Sequence, residues 1–262
     1  MKLEIDSKDY FYKNNLDKLL GLEFTTRKNY SPEFVHENDG LDAYRPEFED
    51  LVRLHYVIRK RKVLTVLEFG IGWSTLVMAD ALKKNFEDYS KDIKGIRRKD
   101  PFKLYSVETE KKFMDSTIKL LGDELINFVD ITFTSSSITT FQGRICGKSD
   151  KLPNICPDFI YVDGPNPKSI KGSINGIEMY HQDRTNISCD LLTIEPFFLP
   201  GTLIIFDGLT NNARFHANNF QRDWYHYHNE KEDYSLFELR EKPLGLYNRN
   251  QMIFQDLIKE DK

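Results

Sequence analysis

Four acidic residues stand where apolar stretches of the sequence end. Glu68 and Glu108 close "VLEF" and "LYSVE", while Asp163 and Asp207 close "DFIYVD" and "GTLIIFD". Stretches of this kind are typical of buried β-strands, and ligands of open α/β sheets bind at the carboxyl ends of such strands. Carboxylates there can accept hydrogen bonds, take up protons or bind a metal. The pattern predicts a ligand-binding edge, although acidic residues that simply begin solvated loops would give the same spacing.

The first of these carboxylates precedes a glycine turn, "EFGIGWST". Gly70 and Gly72 allow a tight turn and a close approach of backbone to ligand, and Ser74 can cap the helix that follows. The third glycine of a dinucleotide fingerprint would fall at Thr75, so a pyrophosphate ligand is less well supported. A P-loop is also disfavoured, because no Gly-Lys-Ser/Thr follows.

The second carboxylate suggests what kind of ligand the turn would hold. Glu108 ends the next predicted strand, where a carboxylate can accept hydrogen bonds from both ribose hydroxyls. Glu68 beside the turn favours a ligand with a cationic or amine group. S-adenosylmethionine combines a ribose, an amine and a sulfonium, and so matches this pair of carboxylates.

The elements that must position these residues alternate along the chain. Strands are predicted over 63–69, 103–108, 128–134, 158–163 and 201–207, and helices over 74–86, 109–121 and 188–198. This alternation favours an α/β fold with a mostly parallel sheet covered on both faces. Before it, an amphipathic helix is predicted from Pro46. After it, strands near 234–240 and 251–254 would form a C-terminal hairpin, and residues 135–157 are predicted to be a polar loop.

The composition limits the class of protein. The chain has 262 residues, a formal net charge of -4 and 40% hydrophobic residues, which predicts a globular protein with no electrostatic reason to bind nucleic acid. The basic run from Arg59 to Lys62 is short enough to be a solvated cluster. The three cysteines form neither a zinc pattern nor a disulfide framework, and no signal peptide or membrane span is evident. A cytoplasmic location is therefore predicted.

Taken together, the motifs resemble class I S-adenosylmethionine-dependent methyltransferases. "LEFGIGWST" is similar to their first motif and "YSVE" to their ribose-binding motif, while "DFIYVDGP" and "GTLIIFDG" look like their fourth and fifth strands. The resemblance implies a doubly wound, mostly parallel seven-stranded sheet with a C-terminal antiparallel hairpin. It also implies a methyltransferase domain over residues 63–262 and an N-terminal helical segment over residues 1–62 on the substrate side.

The resemblance further implies which residues bind S-adenosylmethionine. The expected cofactor-binding residues are Glu68, Gly70, Gly72, Trp73, Ser74, Glu108, Ser135, Ser136 and Asp163. Within the class, the chain is similar to small-molecule O-methyltransferases of the catechol and macrocin type, in which carboxylates at these strand ends hold a divalent metal. Asp163 and Asp207 match two such ligands, but Gly208 replaces the third. Asn211 or Asn212 would have to complete a Mg²⁺ site, and Asp207 could instead cap a helix.

An oxygen acceptor needs a base or a charge to assist the transfer. Asp163 is the first candidate base, and His181 and His216 are the others, although a lone histidine is more often structural. The acceptor pocket is expected from the N-terminal segment with His36 and Tyr44, and from the loops over 165–186 and 210–224. Basic and amide residues in these loops would suit a polyhydroxylated or phosphate-bearing acceptor, or form only a solvated surface: Lys168, Lys171, Arg184, Asn211, Asn212, Arg214 and Arg222.

The first and preferred hypothesis is O-methylation of a small polar acceptor, such as a sugar, nucleotide-linked or phosphate-bearing precursor of a bacterial capsule or other surface glycan. An N-methyltransferase or RNA methyltransferase is a second hypothesis, although "DGPNP" lacks the Asn/Asp-Pro-Pro-Tyr pattern. An NAD-dependent oxidoreductase, or a binding protein without catalysis, is the third. The polar N-terminal helices could serve a homodimer.

Overall fold

The computed structural model describes residues 5–26 and 47–260 of the chain. Its helices are α1 (Ser7–Lys13), α2 (Leu16–Leu20), α3 (Phe48–Lys60), α4 (Trp73–Tyr89), α5 (Lys111–Leu125), α6 (Asp190–Ile194), α7 (Thr210–Ala217) and α8 (Gly245–Phe254). Its strands are β1 (Thr65–Phe69), β2 (Lys103–Glu108), β3 (Val129–Phe133), β4 (Ser136–Phe141), β5 (Arg144–Ser149), β6 (Phe159–Val162), β7 (Ile170–Lys171), β8 (Leu203–Asp207), β9 (Trp224–Asn229) and β10 (Tyr234–Leu239). Within the described residues, no helix has the length and apolar character to cross a membrane.

The main sheet has seven strands in the order β3-β2-β1-β6-β8-β10-β9. The first five are parallel, and β10 pairs antiparallel with both β8 and β9. The predicted doubly wound, mostly parallel sheet is therefore confirmed. The chain runs from β1 outward to β3 and then returns to β6 on the other side of β1. The strand order thus switches between β1 and β6, and this is where ligands bind in open α/β sheets.

Alternation along the central strands explains why both faces of the sheet are covered. Val66 and Tyr161 pack in the apolar cluster that contains α3 and α4, whereas Leu67 and Ile160 pack in the opposite cluster beneath α6 and α7. Side chains of successive strand residues point to opposite faces, so an uninterrupted apolar run supplies both layers. This is the physical basis of the near-continuous hydrophobic strands in the sequence.

The N-terminal helices share the core of the sheet. Phe11 of α1 and Leu16 of α2 belong to the same buried cluster as Val77 of α4. Helix α3 buries Leu51 and Ile58 at the predicted helical spacing, which confirms its amphipathic character. The proposed boundary at residue 62 remains a prediction, and Pro46, His36 and Tyr44 lie outside the described residues.

The polar loop predicted for residues 135–157 is wrong in its first half. Strands β4 and β5 form an antiparallel hairpin, and β7 joins β4 in a small three-stranded sheet. The turn uses Gln142 and Gly143, both with positive φ, which is the backbone of a tight two-residue hairpin. The strands carry serines, threonines and a glycine among few apolar residues, so the alternation expected of a strand is weak there.

The C-terminal hairpin is confirmed, but one predicted strand is wrong. The predicted strand near 234–240 is β10, yet its partner is the preceding β9, and residues 251–254 belong to α8. The buried side of α8 carries the amides Asn248 and Gln251 beside Met252. Asn248 donates to the Pro200 carbonyl at 3.1 Å. Because amides occupy buried positions, a purely apolar periodicity does not reveal this helix.

Candidate functional site

The glycine turn after β1 packs directly against the turn after β6. Gly70 has a φ of +86° and its amide donates to the Val107 carbonyl at 3.0 Å. A Cβ on Gly164 would lie 2.9 Å from both the amide nitrogen and the Cα of Gly70. There is no room for a side chain between the two turns, so their backbones are in direct contact at the switch point. This role of Gly164 was not predicted from the sequence, in which the Gly-Pro pair after Asp163 was the available signal.

Glu68 holds the turn from inside the protein. Its carboxylate is fully buried and accepts hydrogen bonds from the hydroxyls of Ser74 (2.6 Å), Thr75 (2.8 Å) and Ser106 (2.6 Å). Burial raises the pKa of Glu68 to about 7, although the hydrogen bonds from the three hydroxyls act in the opposite direction and lower the pKa. The structure therefore gives Glu68 three hydroxyl partners that join β1 to β2 and to the start of α4.

Thr75 has a structural use that a third glycine could not supply. Its hydroxyl accepts a hydrogen bond from the Gly72 amide at 3.0 Å and donates to Glu68. Trp73 begins α4, partly buried against the core cluster of the N-terminal helices. The departure from the dinucleotide fingerprint thus places a hydrogen-bonding side chain where that fingerprint has a glycine for close packing of helix on strand.

Glu108 lies beside the same turn, as predicted from its position at the end of β2. One carboxylate oxygen accepts from the amides of Thr109 (2.6 Å) and Glu110 (2.7 Å). The Ile71 amide also donates to this carboxylate. Burial raises the pKa of Glu108, while the amides of Glu110 and Thr109 lower it. The carboxylate is consequently fixed in orientation at the edge of the turn.

Asp163 lies directly after β6, on the other side of the turn, and we call the exposed space beside it the cleft. Its side chain is exposed, whereas Tyr161 and Glu68 around it are buried. The pKa of Asp163 is raised well above its usual range. The main cause is desolvation by the surrounding protein, and the negative charges of Asp207 and Glu68 add to it. On the neighbouring strand, Asp207 accepts a hydrogen bond from the Tyr161 hydroxyl at 2.6 Å.

Helix α3 supplies a further acidic wall to this cleft. Asp50 is buried, and its charge acts on both Asp163 and Tyr161. Arg53 lies 2.5 Å from the Asp50 carboxylate and 2.9 Å from Glu232, with its guanidinium 4.1 Å from the centre of the Tyr234 ring. This cation is therefore committed to protein partners. The contribution of α3 was not predicted residue by residue, because it depends on contacts between distant parts of the chain.

A cavity of about 840 Å³ opens beyond the ends of β2 and β3. Ser135 lines it and donates to Asp150. Ser136 is buried in β4, with its hydroxyl 3.5 Å from that of Ser149. The cavity lies next to Thr109, directly after the Glu108 carboxylate, so Ser135, one of the expected cofactor-binding residues, lines the same cavity as the residue that follows Glu108. Ser136 is placed behind it, within the small sheet.

The segment 165–171, which we call the strap, crosses from β6 to the far side of the turn. Asn166 donates to the Glu110 carboxylate at 2.8 Å, and the hydroxyls of Thr109 and Ser169 lie 2.8 Å apart. At its end β7 pairs with β4. Because β1 lies between β2 and β6, these bonds carry the strap over the glycine turn.

The two candidate histidines are not brought to Asp163. His216 is 1% exposed, packs against Phe206 and Phe220, and hydrogen-bonds the Asn212 carbonyl at 2.9 Å. Burial lowers the pKa of His216 to about 4. His181 is exposed in its loop, 3.7 Å from the Asp183 carboxylate. Among the described residues neither histidine forms a hydrogen bond or ion pair with Asp163, and their assignment as bases stays a prediction.

The predicted metal ligands form an incomplete set. Asn211 is exposed on α7. The side-chain oxygen of Asn212 accepts a hydrogen bond from the Ser188 backbone amide at 3.1 Å. Over residues 5–26 and 47–260, no three His, Cys, Asp or Glu side chains are grouped to hold a metal. Asp163 and Asp207 therefore provide two carboxylates, and a Mg²⁺ site would depend on the Asn211 amide.

The basic and amide residues proposed for the acceptor do not converge. Arg222 pairs with the Glu241 carboxylate, and Arg184 donates to the Glu178 carbonyl at 2.5 Å. Lys168 and Lys171 line the cavity beyond β2 and β3 instead of the cleft at Asp163. The surroundings of Asp163 are thus acidic.

Comparisons with known proteins find distant structural similarity and no sequence relative. No family model and no curated protein sequence matches the chain. Solved structures with a similar fold include the O-methyltransferase TomG from Streptomyces achromogenes in complex with SAM, at 14% identity and a TM-score of 0.45, covering 91% of this chain and 100% of that chain. A putative O-methyltransferase from Klebsiella pneumoniae has 14% identity and a TM-score of 0.44, covering 88% and 96%. An O-methyltransferase from Bacillus cereus in complex with SAH has 12% identity and a TM-score of 0.39, covering 92% and 93%. Likeness at this level concerns the fold alone and assigns no activity.

Proposed function

We propose that the chain is an S-adenosylmethionine-dependent methyltransferase that methylates an oxygen of a small polar acceptor. The observation that supports this most is the Glu108 carboxylate, fixed beside the Gly70 turn, with the open Asp163 carboxylate on the other side. A ribose on Glu108 would place the remainder of the ligand along the turn toward Asp163. The residues fit such a ligand, because Gly70 and Gly72 add no side chains to the turn beside the Glu108 carboxylate.

The role we assign to Glu68 is to fix the turn. Its carboxylate already has three hydroxyl donors, so it supports binding by holding Ser74, Thr75 and the turn in place. This differs from the direct contact with the ligand amine that the sequence suggested. The amine would instead be held by groups that face the cleft.

Asp163 is the group we assign to the acceptor. S-adenosylmethionine, when bound, supplies a methyl group on a positively charged sulfur that leaves readily. Asp163 accepts the proton that the acceptor hydroxyl loses as its oxygen becomes methylated. A carboxylate with a raised pKa is a stronger base than an ordinary aspartate, which suits this task. The hydrogen bond between the Tyr161 hydroxyl and Asp207 fixes the end of the neighbouring strand.

The charges around Asp163 bear on the acceptor. Asp163, Asp207 and Asp50 disfavour a phosphate at the reacting end, so we infer a neutral hydroxyl, such as that of a sugar. A sugar or nucleotide-linked precursor of a bacterial surface glycan stays our preferred acceptor, with any phosphate held away from the cleft.

A cytoplasmic location and a homodimer also remain proposals, and light scattering of the purified protein tests the dimer.

A bound metal is not required for this scheme. Asp163 and Asp207 would be its ligands with Asn211, but Asp207 already accepts the Tyr161 hydroxyl. If transfer persists in excess EDTA, the proton transfer to Asp163 is sufficient. If EDTA abolishes transfer and Mg²⁺ restores it, a metal must be added to the scheme.

Binding measurements test the cofactor. Calorimetric titration with S-adenosylmethionine should show binding, and titration with NAD should show none. Glu108→Gln removes the negative charge that accepts hydrogen bonds from the two ribose hydroxyls. We expect the binding free energy of S-adenosylmethionine to weaken by about 3 kcal/mol, or about 150-fold in affinity. Asp115→Asn, on the exposed side of α5, is the matched control. Binding of NAD in place of S-adenosylmethionine would support the oxidoreductase alternative.

A second variant separates chemistry from binding. Asp163→Asn keeps the size of the side chain but cannot take up the proton, so S-adenosylhomocysteine should bind normally while transfer falls at least about 100-fold. Transfer is measured with methyl-labelled cofactor and a panel of sugars and nucleotide-linked sugars. Full transfer by Asp163→Asn would remove this residue from the proposed role.

A further inference from the structure

The cavity beyond β2 and β3 is positively charged, in contrast to the cleft at Asp163. Four lysines line it: Lys112 of α5, Lys151 after β5, and Lys168 and Lys171 of the strap. Two acidic residues, Glu110 and Asp150, line it as well. The lysines therefore outnumber the acids, although the whole chain carries a formal charge of -4.

The two acids of the cavity are already engaged. Glu110 accepts from the Asn166 amide at 2.8 Å and lies 3.7 Å from the Lys112 ammonium. Asp150 accepts hydrogen bonds from Ser135 and Ser137. Glu110 is thus paired with Lys112, while Asp150 keeps its charge, so the cavity holds four lysines against two carboxylates.

Within the part of the chain that the structure describes, three of these lysines form no ion pair. Among the described residues, no carboxylate lies within 4.0 Å of the ammonium groups of Lys151, Lys168 or Lys171. Lys168 lies 5.0 Å from the centre of the Tyr180 ring, which leaves its charge uncompensated. Three such charges around one concave surface raise its affinity for anions.

The two regions have opposite charge and a definite separation. In the order β3-β2-β1-β6, the ends of β2 and β3 lie two and three strands from β6. At about 4.8 Å per strand this is roughly 10–14 Å from Asp163. A cavity of about 840 Å³ is within the range of roughly 300–1,000 Å³ that holds a drug-sized ligand. The cavity is therefore large enough to hold a phosphate-bearing small molecule.

We propose that this cavity is a phosphate-binding site, in which Lys151, Lys168 and Lys171 hold the phosphate of a small molecule beside the cofactor. Phosphate is the anion class that suits clustered lysines, each of which donates charge-assisted hydrogen bonds. The cleft at Asp163 repels the same group. The site stands on the lysines and the cavity, and is independent of whether the chain transfers methyl groups.

The test is calorimetric titration of the full chain with inorganic pyrophosphate, without and with saturating S-adenosylhomocysteine. Binding is expected in both conditions. Lys168→Ala and Lys171→Ala should each weaken it about 5–10-fold, and the double variant should weaken it further. Lys119→Ala is the control, because it removes the same charge from an exposed position of α5 outside the cavity. Circular dichroism checks that each variant is folded.

ADP serves as a second probe in the presence of S-adenosylhomocysteine. Tighter binding of ADP than of pyrophosphate would assign the site to nucleotides, and equal binding would assign it to phosphate alone; both support the proposal. No binding of pyrophosphate, equal binding by the double variant, or displacement of pyrophosphate by S-adenosylhomocysteine would overturn it. Pyrophosphate binding in a protein that fails to bind S-adenosylhomocysteine would contradict only the proposed function.

Discussion

Replacing Gly164 by alanine tests the contact between the two turns. The new Cβ would lie 2.9 Å from the Gly70 amide nitrogen and Cα, and 3.2 Å from the Phe69 carbonyl carbon. Ordinary contacts of this kind begin near 3.5 Å, so the turns must separate by about 0.6 Å. All three neighbouring atoms belong to backbone, and no flexible side chain can relieve the overlap. The Gly70 hydrogen bond to Val107 would be strained as well.

The expected cost follows from these contacts. Overpacking of this kind typically costs about 1–3 kcal/mol, and we expect a loss of that size in the free energy of unfolding. Because the displaced turn is the proposed cofactor site, the affinity for S-adenosylhomocysteine should fall about tenfold or more. Urea unfolding followed by circular dichroism gives the stability, and calorimetry of the folded protein gives the affinity.

Gly95→Ala is the matched control for this experiment. Its Cβ would lie 3.7 Å from the Asn250 amide nitrogen, an ordinary contact. Its stability should stay the same or rise by a few tenths of a kcal/mol, because alanine restricts the unfolded chain. If Gly164→Ala keeps its stability within about 0.5 kcal/mol and its affinity within about twofold, the turns do not support each other as described.

Three further predictions concern buried groups. The pKa of Glu68 is raised to about 7, so the folded state holds this proton where the unfolded chain has lost it, and stability should fall as pH rises from about 4.5 to 7. Glu68→Gln should remove that part of the dependence, and parallel unfolding curves for the two proteins over pH 5–8 would contradict it. His216 should titrate near pH 4, seen by NMR of its ring protons, and a value near 6.5 would mean that the ring is not buried. Asp158 accepts from the amides of Leu64 at 3.0 Å and Thr65 at 2.6 Å, so Asp158→Ala should cost about 2–4 kcal/mol in urea unfolding; a loss under about 0.5 kcal/mol would show that these amides find other partners.

The sheet and its edge were predictable because their signals are local. The apolar runs before Glu108 and Asp163 are long enough to mark buried strands, and parallel strands place their carboxyl ends at one edge. The glycine pair after Glu68 marks a tight turn in the same way. These features need only neighbouring residues and the general rule for open α/β sheets.

The wall of the cleft depends instead on long-range packing. Asp50 and Arg53 reach the cleft because α3 packs on α4, and nothing in their own segment shows this. The engagement of Glu68 by Ser106 likewise joins residues 38 positions apart. The hairpin of β4 and β5 was missed because its strands are polar, and α8 was missed because amides such as Asn248 are buried within it.

A crystal structure of the chain with S-adenosylhomocysteine tests the central claim most directly. We predict that both ribose hydroxyls contact the Glu108 carboxylate, that the ligand runs along the Gly70 turn, and that its sulfur faces the space above Asp163. The Glu68 carboxylate should keep its three hydroxyl partners. A ligand bound elsewhere, or one whose sulfur points away from Asp163, would contradict the proposed site and the transfer chemistry assigned to it.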